Sequence, residues 1–232
     1  MRYEIKYVMD QNADVQFTNW LLSSPFLRRS YPDRNVHSIY FDTAELASAR
    51  DNINGLFFRK KFRLRWYSDL NNKDPISTDL PIFEIKIKKG RLGEKSTRIL
   101  NGMNMREIFF SNPHLLTTTI RDRLSAEDWP ELGARLDFLT PKVLINYQRS
   151  YFLGPENIRV TVDKNLSFCD VQNLTVDPNK QKVVFTKSIV EFKFSPKSYD
   201  QSCHIMASLP FFPSRNSKYL LAMACLGYAV YI

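Results

Sequence analysis

The feature that most constrains the fold is a basic residue at every second position of one short segment. Within residues 58–66 these positions are Arg59, Lys61, Arg63 and Arg65, and mostly apolar side chains lie between them. Because successive side chains of a strand point to opposite faces, the segment predicts a strand with one cationic and one mostly apolar face. Four like charges on one face repel one another, so we expect an anionic partner opposite them.

The same alternation recurs in four further segments. Charged and apolar residues alternate over residues 2–7, 83–88, 158–163 and 190–194. A sheet with one solvated face would explain any single segment. Across the set, however, basic residues dominate the charged faces, whereas solvated faces more often mix both signs evenly. The set therefore favours a site for a polyanion with a metal ion, and a solvated sheet face is the alternative.

Composition agrees with an anionic partner. The chain has 33 lysines and arginines against 24 acidic residues, a net charge of +9. This charge favours nucleic acid, phosphorylated small molecules, polyphosphate or an acidic membrane surface. Three cysteines without a CxxC pair argue against a disulfide framework or a structural zinc site, and they fit a reducing cytoplasmic setting. The apolar stretch 219–232 is shorter than the roughly 20 residues that span a bilayer.

Turn and cap signals divide the chain into short elements. We predict strands near residues 2–9, 35–42, 57–67, 82–89, 94–100, 142–153, 157–168 and 182–194. Helices are predicted near 13–22, 44–52 (with Thr43 as N-cap), 103–136, 198–208 and 216–226. Consecutive hairpins favour an α+β fold over a parallel α/β sheet. Eight such strands could form an open sheet covered by helices, or a closed tunnel with its charged faces inward. We expect residues 1–232 to form a single domain.

Familiar nucleotide-binding and hydrolase motifs are missing. The seven glycines form neither GxGxxG nor GxxxxGK[ST], and there is no kinase signature and no GxSxG. A triphosphate would therefore be held by side chains rather than by a glycine-rich loop.

Eight short motifs follow one another along nearly the whole chain. They are RYEIKY from residue 2, SIYFDT from 38, RKKFRLR from 59, EIK from 84, YQR from 147, RVTVD from 159, EFK from 191 and SKY from 217. In this order they resemble the VTC domain, the polyphosphate polymerase domain of the vacuolar transporter chaperone complex. That family belongs to the triphosphate tunnel metalloenzymes and is related to the CYTH phosphatases.

The resemblance implies an α+β fold in which eight antiparallel strands form a triphosphate tunnel with helices packed outside. It implies transfer of the γ-phosphate of ATP to a growing polyphosphate chain, with Mn²⁺ or Mg²⁺ as cofactor. The implied catalytic residues, which contact phosphate, are Lys6, Arg63, Arg65, Lys86, Arg149, Arg159 and Lys218. Further substrate-binding candidates are Arg59, Lys61, Lys88, Lys193 and Tyr40. The implied metal ligand is Glu191, with Glu4 and Glu84 as additional candidates.

ATP and polyphosphate are the expected partners, and the resemblance also allows a membrane subunit. The expected location is the cytoplasm, with the inner face of a membrane as a second option. Nucleic acid is not expected, because aromatic side chains do not alternate with the basic ones on the same face. CYTH phosphatases begin with Glu-x-Glu-x-Lys, but Arg2 replaces the first glutamate here. One carboxylate fewer favours a polymerase over a triphosphatase.

Two rival functions and several structural roles stay open. The rival functions are a non-catalytic module that binds polyphosphate, nucleotide or inositol phosphate, and a CYTH-type inorganic triphosphatase. For Glu191, an ion pair with Lys193 or a nearby arginine is the alternative to metal binding. We expect Asp163 to pair with Arg159 or Arg149 and hold it in place. For Tyr147, packing is the favoured role.

Overall fold

The computed structural model describes residues 1–71, 80–103, 113–124, 129, 137–171 and 182–228. The strands of this part of the chain are β1 Tyr3–Met9, β2 Arg28–Asp42, β3 Phe58–Asp69, β4 Ile82–Lys89, β5 Leu92–Ile99, β6 Thr140–Leu153, β7 Arg159–Asp170, β8 Val183–Phe185 and β9 Ser188–Phe194. Its helices are α1 Gln11–Ser23, α2 Ala47–Ile53, α3 Pro113–Arg123, α4 Tyr199–Ala207 and α5 Lys218–Cys225. Two 3₁₀ turns lie at Pro155–Asn157 and Pro196–Ser198.

The strands form one antiparallel sheet in the order β1-β9-β7-β6-β2-β3-β4-β5, and β8 pairs with β7. The two end strands of this order, β1 and β5, also meet. An isolated antiparallel bridge joins Arg2 to Gly93, and each residue donates its backbone N–H to the carbonyl of the other, at 3.0 and 2.9 Å. The hydrogen-bonded strands thus return on themselves, although a single residue pair makes the last connection.

This architecture confirms the predicted α+β fold with an antiparallel sheet. The strand predicted over residues 182–194 is two strands, β8 and β9, because the register of β7 changes between their pairing regions. The change occurs at Asn165, whose φ of 54° is left-handed, a conformation that asparagine tolerates better than most residues. Of the helical block predicted over 103–136, the structure shows α3, and most of the remainder lies outside the described residues.

The predicted cap of the second helix is displaced by a few residues. Helix α2 begins at Ala47 with Leu46 in the N-cap position, and the left-handed φ of Leu46 is 57°. Thr43 still acts at this end, since its hydroxyl oxygen accepts a hydrogen bond from the N–H of Ala47 at 3.2 Å. Helix α1 is capped directly by Asp10, whose carboxylate accepts from the N–H of Ala13 at 2.9 Å.

Two clusters of buried apolar side chains lie on one face of the sheet, which we call the outer face. Helices α1 and α4 cover strands β1, β7 and β9, where Phe17 and Ile205 belong to the same cluster as Phe192. Helix α3 covers β3 and β4, where Leu116 and Phe83 are buried together. Burial of apolar surface stabilises the folded state by roughly 25 cal/mol per Å². These two clusters are therefore the main source of stability.

Helix α5 packs on the opposite face, which we call the inner face. Tyr219 stacks on Tyr40 with ring centroids 5.3 Å apart, and its hydroxyl donates a hydrogen bond to buried Asp42 at 2.7 Å. Tyr40 pairs across the strands with Arg63, so both project to the inner face. The expected arrangement with helices outside therefore needs one addition, a C-terminal helix that covers one part of the inner face. No helix of the described residues has the length and apolar character needed to cross a membrane.

Candidate functional site

The pairing register of the strands places the predicted site residues on the inner face, because residues paired directly across strands project to the same side. The pairs are Glu4 with Lys193, Lys6 with Glu191, Lys193 with Arg159, Arg149 with Asp163, Tyr40 with Arg63, Arg63 with Glu84, Lys61 with Lys86, and Arg59 with Lys88. Arg65 follows Arg63 on the same face, and Lys218 enters from the first turn of α5. All the residues predicted from sequence therefore share one face, and it is the face that the C-terminal helix partly covers.

Glu84 is the one carboxylate of β4, and 1% of its surface is exposed. It forms ion pairs with Arg63, with Arg65 at 3.7 Å and with Lys95 at 2.5 Å. Burial acts to raise the pKa of Glu84, but these cations outweigh burial and hold the pKa below its ordinary value. The carboxylate stays ionised and fixes three cations around it. Lys95 is a member of the cluster that the sequence analysis missed. Its sequence signal was its place in the predicted strand 94–100, and the structure shows that it pairs with Lys86 across the strands.

Asp163 organises a second group of buried charges. Its two oxygens accept hydrogen bonds from Nε and Nη2 of Arg149, at 2.6 and 2.8 Å. Nζ of Lys218 lies 2.6 Å from the same carboxylate. Burial acts to raise the pKa of Asp163, and the two cations lower it further than burial raises it. Of the two partners expected for Asp163, the structure selects Arg149, and it adds Lys218.

Glu4 and Glu191 carry the negative charge on β1 and β9. Glu4 contacts Nζ of Lys86 at 2.5 Å, and Glu191 contacts Lys193 at 2.9 Å and Lys6 at 3.7 Å. Within the described residues, the buried Oε1 of Glu191 accepts no hydrogen bond. Burial lowers the pKa of Lys193 to about 8, an effect that Glu191 offsets in part. Around Glu191, the site therefore combines a carboxylate oxygen without a hydrogen-bond donor and a lysine, Lys193, whose pKa is lowered.

Hydroxyl groups hold the two central arginines. Arg63 donates from Nη1 to the hydroxyl of Tyr40 at 3.0 Å. Arg65 donates from Nη2 to the hydroxyl of Tyr147 at 3.0 Å and from Nε to Ser38 at 3.1 Å. Packing was the role favoured for Tyr147, and the structure adds a hydrogen bond to a buried arginine. Preset guanidinium planes of this kind suit bidentate recognition of phosphate oxygens.

Three basic residues of β3 and β4, unlike Arg63, Arg65 and Lys86, have no carboxylate within 4.0 Å in the described part of the chain. Burial lowers the pKa of Lys61 well below its ordinary value, and the nearby charges of Lys6 and Lys86 lower it further. Burial also lowers the pKa of Lys88. Arg59 donates to the carbonyl of Gly90 at 3.4 Å, a backbone contact that neutralises no charge. Uncompensated cations close together are costly, and a bound polyanion would relieve that cost.

The chain just before α5 crosses the inner face and touches separate strands. Nζ of Lys6 donates to the carbonyl of Asn216 at 2.9 Å, and Nζ of Lys61 lies 2.6 Å from the hydroxyl of Ser217. The N–H of Ser214 donates to the carbonyl of Lys6 at 2.8 Å. The sequence offered no signal for the contact of Asn216, because it depends on where the C-terminal segment lies.

The carboxylates of the site fit a metal ion only in part. Within the described residues no group of three or more histidine, cysteine, aspartate or glutamate side chains is placed to hold a metal. Glu84 has both oxygens engaged, by Arg63 and Lys95. The orphaned Oε1 of Glu191 suits a cation, and the charge of nearby Glu4 acts on the same region. Glu191 and Glu4 could thus hold a divalent cation whose remaining ligands are phosphate oxygens and water.

Comparison with known proteins supports this architecture. The profile of the VTC domain matches residues 1–227. A putative adenylyl cyclase from Hippeastrum, described as having a dominant triphosphatase activity, superposes with a TM-score of 0.58 at 13% identity, over 97% of this chain and 96% of its own. A protein from Pyrococcus horikoshii OT3 gives a TM-score of 0.50 at 10% identity, over 96% and 99%. No curated protein matches the chain at a significant level. At these identities the two structures establish a shared fold.

Proposed function

The chain belongs to the VTC domain family, and from that premise we propose that it is a metal-dependent polyphosphate polymerase. In the proposed reaction, a terminal oxygen of polyphosphate attacks the γ-phosphorus of ATP. The bond between that phosphorus and the β–γ bridging oxygen breaks, and ADP leaves. The polyphosphate chain is one phosphate longer after each cycle. We also propose that residues 1–232 act as one domain, since the neighbouring strands β1 and β9 come from opposite ends of the chain.

The observation that carries the proposal is the excess of cations over carboxylates on the inner face. The cations are Lys6, Arg59, Lys61, Arg63, Arg65, Lys86, Lys88, Lys95, Arg149, Arg159, Lys193 and Lys218. The carboxylates that contact these cations are Glu4, Glu84, Asp163 and Glu191. Phosphoryl transfer depends on positioning and charge neutralisation more than on covalent chemistry by the protein. A face with this surplus supplies both.

We assign roles from the contacts of each side chain. Arg63 and Arg65, preset by hydroxyl groups, bind the oxygens of the phosphate that is transferred. Arg149 and Lys218, aligned by Asp163, bind the phosphates on the opposite side of the site. The remaining cations hold the ATP phosphates and the polyphosphate chain. Glu191, with Glu4, would hold Mn²⁺ or Mg²⁺, and the ion would neutralise charge on the phosphate oxygens during transfer.

A triphosphatase is the second candidate, and one observation favours it. The Hippeastrum protein that shares this fold is described as having a dominant triphosphatase activity. In that reaction water replaces polyphosphate as the acceptor. Two features of this chain argue for the polymerase instead. Arg2 replaces the first glutamate of the phosphatase motif, and both oxygens of Glu84 are engaged by cations.

The test is to incubate the purified protein with ATP and Mn²⁺ and separate the products on a gel that resolves polyphosphate from nucleotide. The polymerase predicts a polyphosphate ladder with an equivalent yield of ADP. Release of orthophosphate without a ladder would replace it with the triphosphatase. No product, with a melting temperature still raised by tripolyphosphate, would indicate a binding module.

Two arginine variants make the gel assay specific to the site. Arg65→Ala removes a buried guanidinium of the inner face and should abolish the ladder. Arg121→Ala removes an arginine of α3 whose side chain is 48% exposed and should leave synthesis unchanged. Equal activity of the two variants would contradict the assignment of Arg65.

A further inference from the structure

Four apolar side chains are exposed at one end of the sheet, where helix α2 ends and strand β3 begins. Phe57 is 73% exposed, and Ile53, Leu56 and Phe58 are each about half exposed. Exposed apolar side chains are ordinary when they are scattered, but four of them within six consecutive residues indicate an interaction site. We call residues 53–58 the apolar tip. None of the roles proposed above for the inner face accounts for it.

Backbone hydrogen bonds hold the apolar tip in one conformation. The N–H of Leu56 donates to the carbonyl of Asp51 at 3.0 Å, and Gly55 between them has a left-handed φ of 66°. This is the arrangement of a Schellman motif, which ends a helix. The carbonyl of Phe57 then accepts from the N–H of Gly90, in the turn between β4 and β5, at 2.8 Å. The apolar side chains are therefore exposed by a defined turn joined to the sheet, and binding through them needs no prior ordering of the chain.

The two phenylalanine rings lie on opposite sides of this end of the sheet, because consecutive side chains of a strand alternate. Phe58 begins β3, and Nζ of Lys60 on the same side lies 5.7 Å from the centre of its ring. The ring of Phe57 packs beside Gly90, where an added Cβ would lie 2.9 Å from it. A flat protein surface would contact one of these sides, whereas the boundary of a membrane would surround both. The geometry therefore favours a lipid surface over a second protein.

Basic side chains surround the apolar tip. Residues 50–60 and 88–94 form the tip and the strand ends beside it, and they contain six basic and two acidic residues. The basic residues are Arg50, Arg59, Lys60, Lys88, Lys89 and Arg91, and the acidic ones are Asp51 and Glu94. Anionic headgroups attract such a cluster. Long basic side chains can keep their charge among the headgroups while the neighbouring rings enter the acyl boundary.

We propose that the apolar tip inserts into the boundary between headgroups and acyl chains of a membrane that contains anionic lipids. Leu56 and Phe57 enter the apolar layer, and the surrounding basic side chains bind the headgroups. On the inner face, the pair of Arg59 and Lys88 lies next to the tip, so docking turns this end of the sheet towards the membrane. The proposal does not rest on the proposed function, because the side chains that enter the membrane have no role in that reaction.

The first test is sedimentation with vesicles of phosphatidylcholine, with and without anionic phosphatidylserine. The unchanged protein should bind the anionic vesicles, and added salt should weaken that binding. Leu56→Ser combined with Phe57→Ser should lower the binding constant by about tenfold or more, because two apolar side chains no longer leave water. Leu22→Ser combined with Phe212→Ser is the matched control. These side chains are 79% and 94% exposed and lie outside the tip, so their loss should not change binding.

The second test measures insertion directly and keeps an aromatic side chain, so that folding is not at issue. The tryptophan of a Phe57→Trp variant should be quenched by lipids that carry bromine on their acyl chains. The tryptophan of a Phe212→Trp variant should not be quenched. Both variants contain the same three native tryptophans, so the difference between them reports the added one.

Three results would overturn the inference. Equal vesicle binding by the two double serine variants would assign the attraction to the charges of the inner face. Equal quenching at positions 57 and 212 would exclude insertion of the tip. Failure to bind vesicles, together with self-association that the serine variant of the tip abolishes, would make the tip an interface between copies of the chain.

Discussion

Replacing Asp163 by asparagine should strongly destabilise the fold while strengthening the attraction for polyanions. The substitution keeps the shape of the side chain and removes its charge. Asp163 is fully buried and is shared by Arg149 and Lys218, which are 8% and 9% exposed. Both cations would remain buried without a carboxylate. Breaking a buried ion pair from one side costs about 3–5 kcal/mol of unfolding free energy.

The magnitude can be measured against a matched exposed pair. Asp33 contacts Arg29 at 3.0 Å, but the side chains of Asp33 and Arg29 are 23% and 62% exposed. Exposed pairs contribute about 0–1 kcal/mol, so Asp33→Asn should have almost no effect. For a domain of this size each kcal/mol corresponds to about 2–4 °C in melting temperature. Asp163→Asn should therefore melt roughly 10 °C lower, with the same loss of free energy in urea titrations.

Adding tripolyphosphate provides the second half of the assay. A ligand that binds only the native state raises stability in proportion to the logarithm of its concentration over its dissociation constant. In the Asp163→Asn variant, the charges of Arg149 and Lys218 are no longer balanced by a carboxylate. Tripolyphosphate should therefore raise the melting temperature of this variant more than that of the unchanged protein. The reasoning is refuted if the two asparagine variants lose the same stability, or if tripolyphosphate stabilises Asp163→Asn less than the unchanged protein.

Three further predictions concern pH, metal and a turn. Affinity for tripolyphosphate should fall as the pH rises from 7 to 9, because Lys193 has a pKa of about 8 and a polyanion favours its protonated form. Lys193→Arg should remove that step, since arginine stays protonated. Glu191→Gln should raise the Mn²⁺ concentration for half-maximal synthesis by about tenfold or more, because a charged ligand is lost. Gly90→Ala should cost about 1–2 kcal/mol in urea unfolding, since Gly90 has a left-handed φ of +59° and the added Cβ would lie 2.9 Å from the Phe57 ring.

Each of these has its own control. Glu94→Gln alters a glutamate whose side chain is 39% exposed and should not change the Mn²⁺ requirement. Gly93→Ala meets no atom closer than 3.8 Å and should be nearly neutral. A pH step that persists in Lys193→Arg would assign the titration to another group. An unchanged Mn²⁺ requirement in Glu191→Gln would remove Glu191 from the proposed metal site, and equal losses in the two glycine variants would contradict the argument from backbone conformation.

The alternation of charged and apolar residues predicted the strands because the face on which a side chain lies depends only on its position within its own strand. The basic positions of 59–65 share one face in the structure, as the period of two requires. What alternation could not supply is the partner of each charge. Arg159 lies four residues before Asp163 on the same strand, about 13 Å away, so strand geometry keeps the two apart. Whether Arg149 faces Asp163 depends on register, and the register of β6 and β7 shifts between Asn146 and Gln148. No pattern in either strand alone locates that irregularity.

Contacts made by the C-terminal segment were beyond prediction for a related reason. Asp42 is completely buried, and it accepts hydrogen bonds from the N–H groups of Ser48 and Ala49 and from the hydroxyl of Tyr219. These partners are 6, 7 and 177 residues away along the chain. Local patterns indicated two helices here, but only the tertiary structure brings both to the same carboxylate.

The bridge between Arg2 and Gly93 makes the sheet a split ring. Every other pair of neighbouring strands in the ring is joined along a ladder of several residue pairs, whereas β1 and β5 share one. Parting them breaks two backbone hydrogen bonds, each worth about 0.5–1.5 kcal/mol net, and stretches the contact between Glu4 and Lys86. The amide protons of Arg2 and Gly93 should therefore exchange with solvent before those of any ladder in the ring. The circumference can widen at this gap while the pairing that aligns the buried charges elsewhere stays intact.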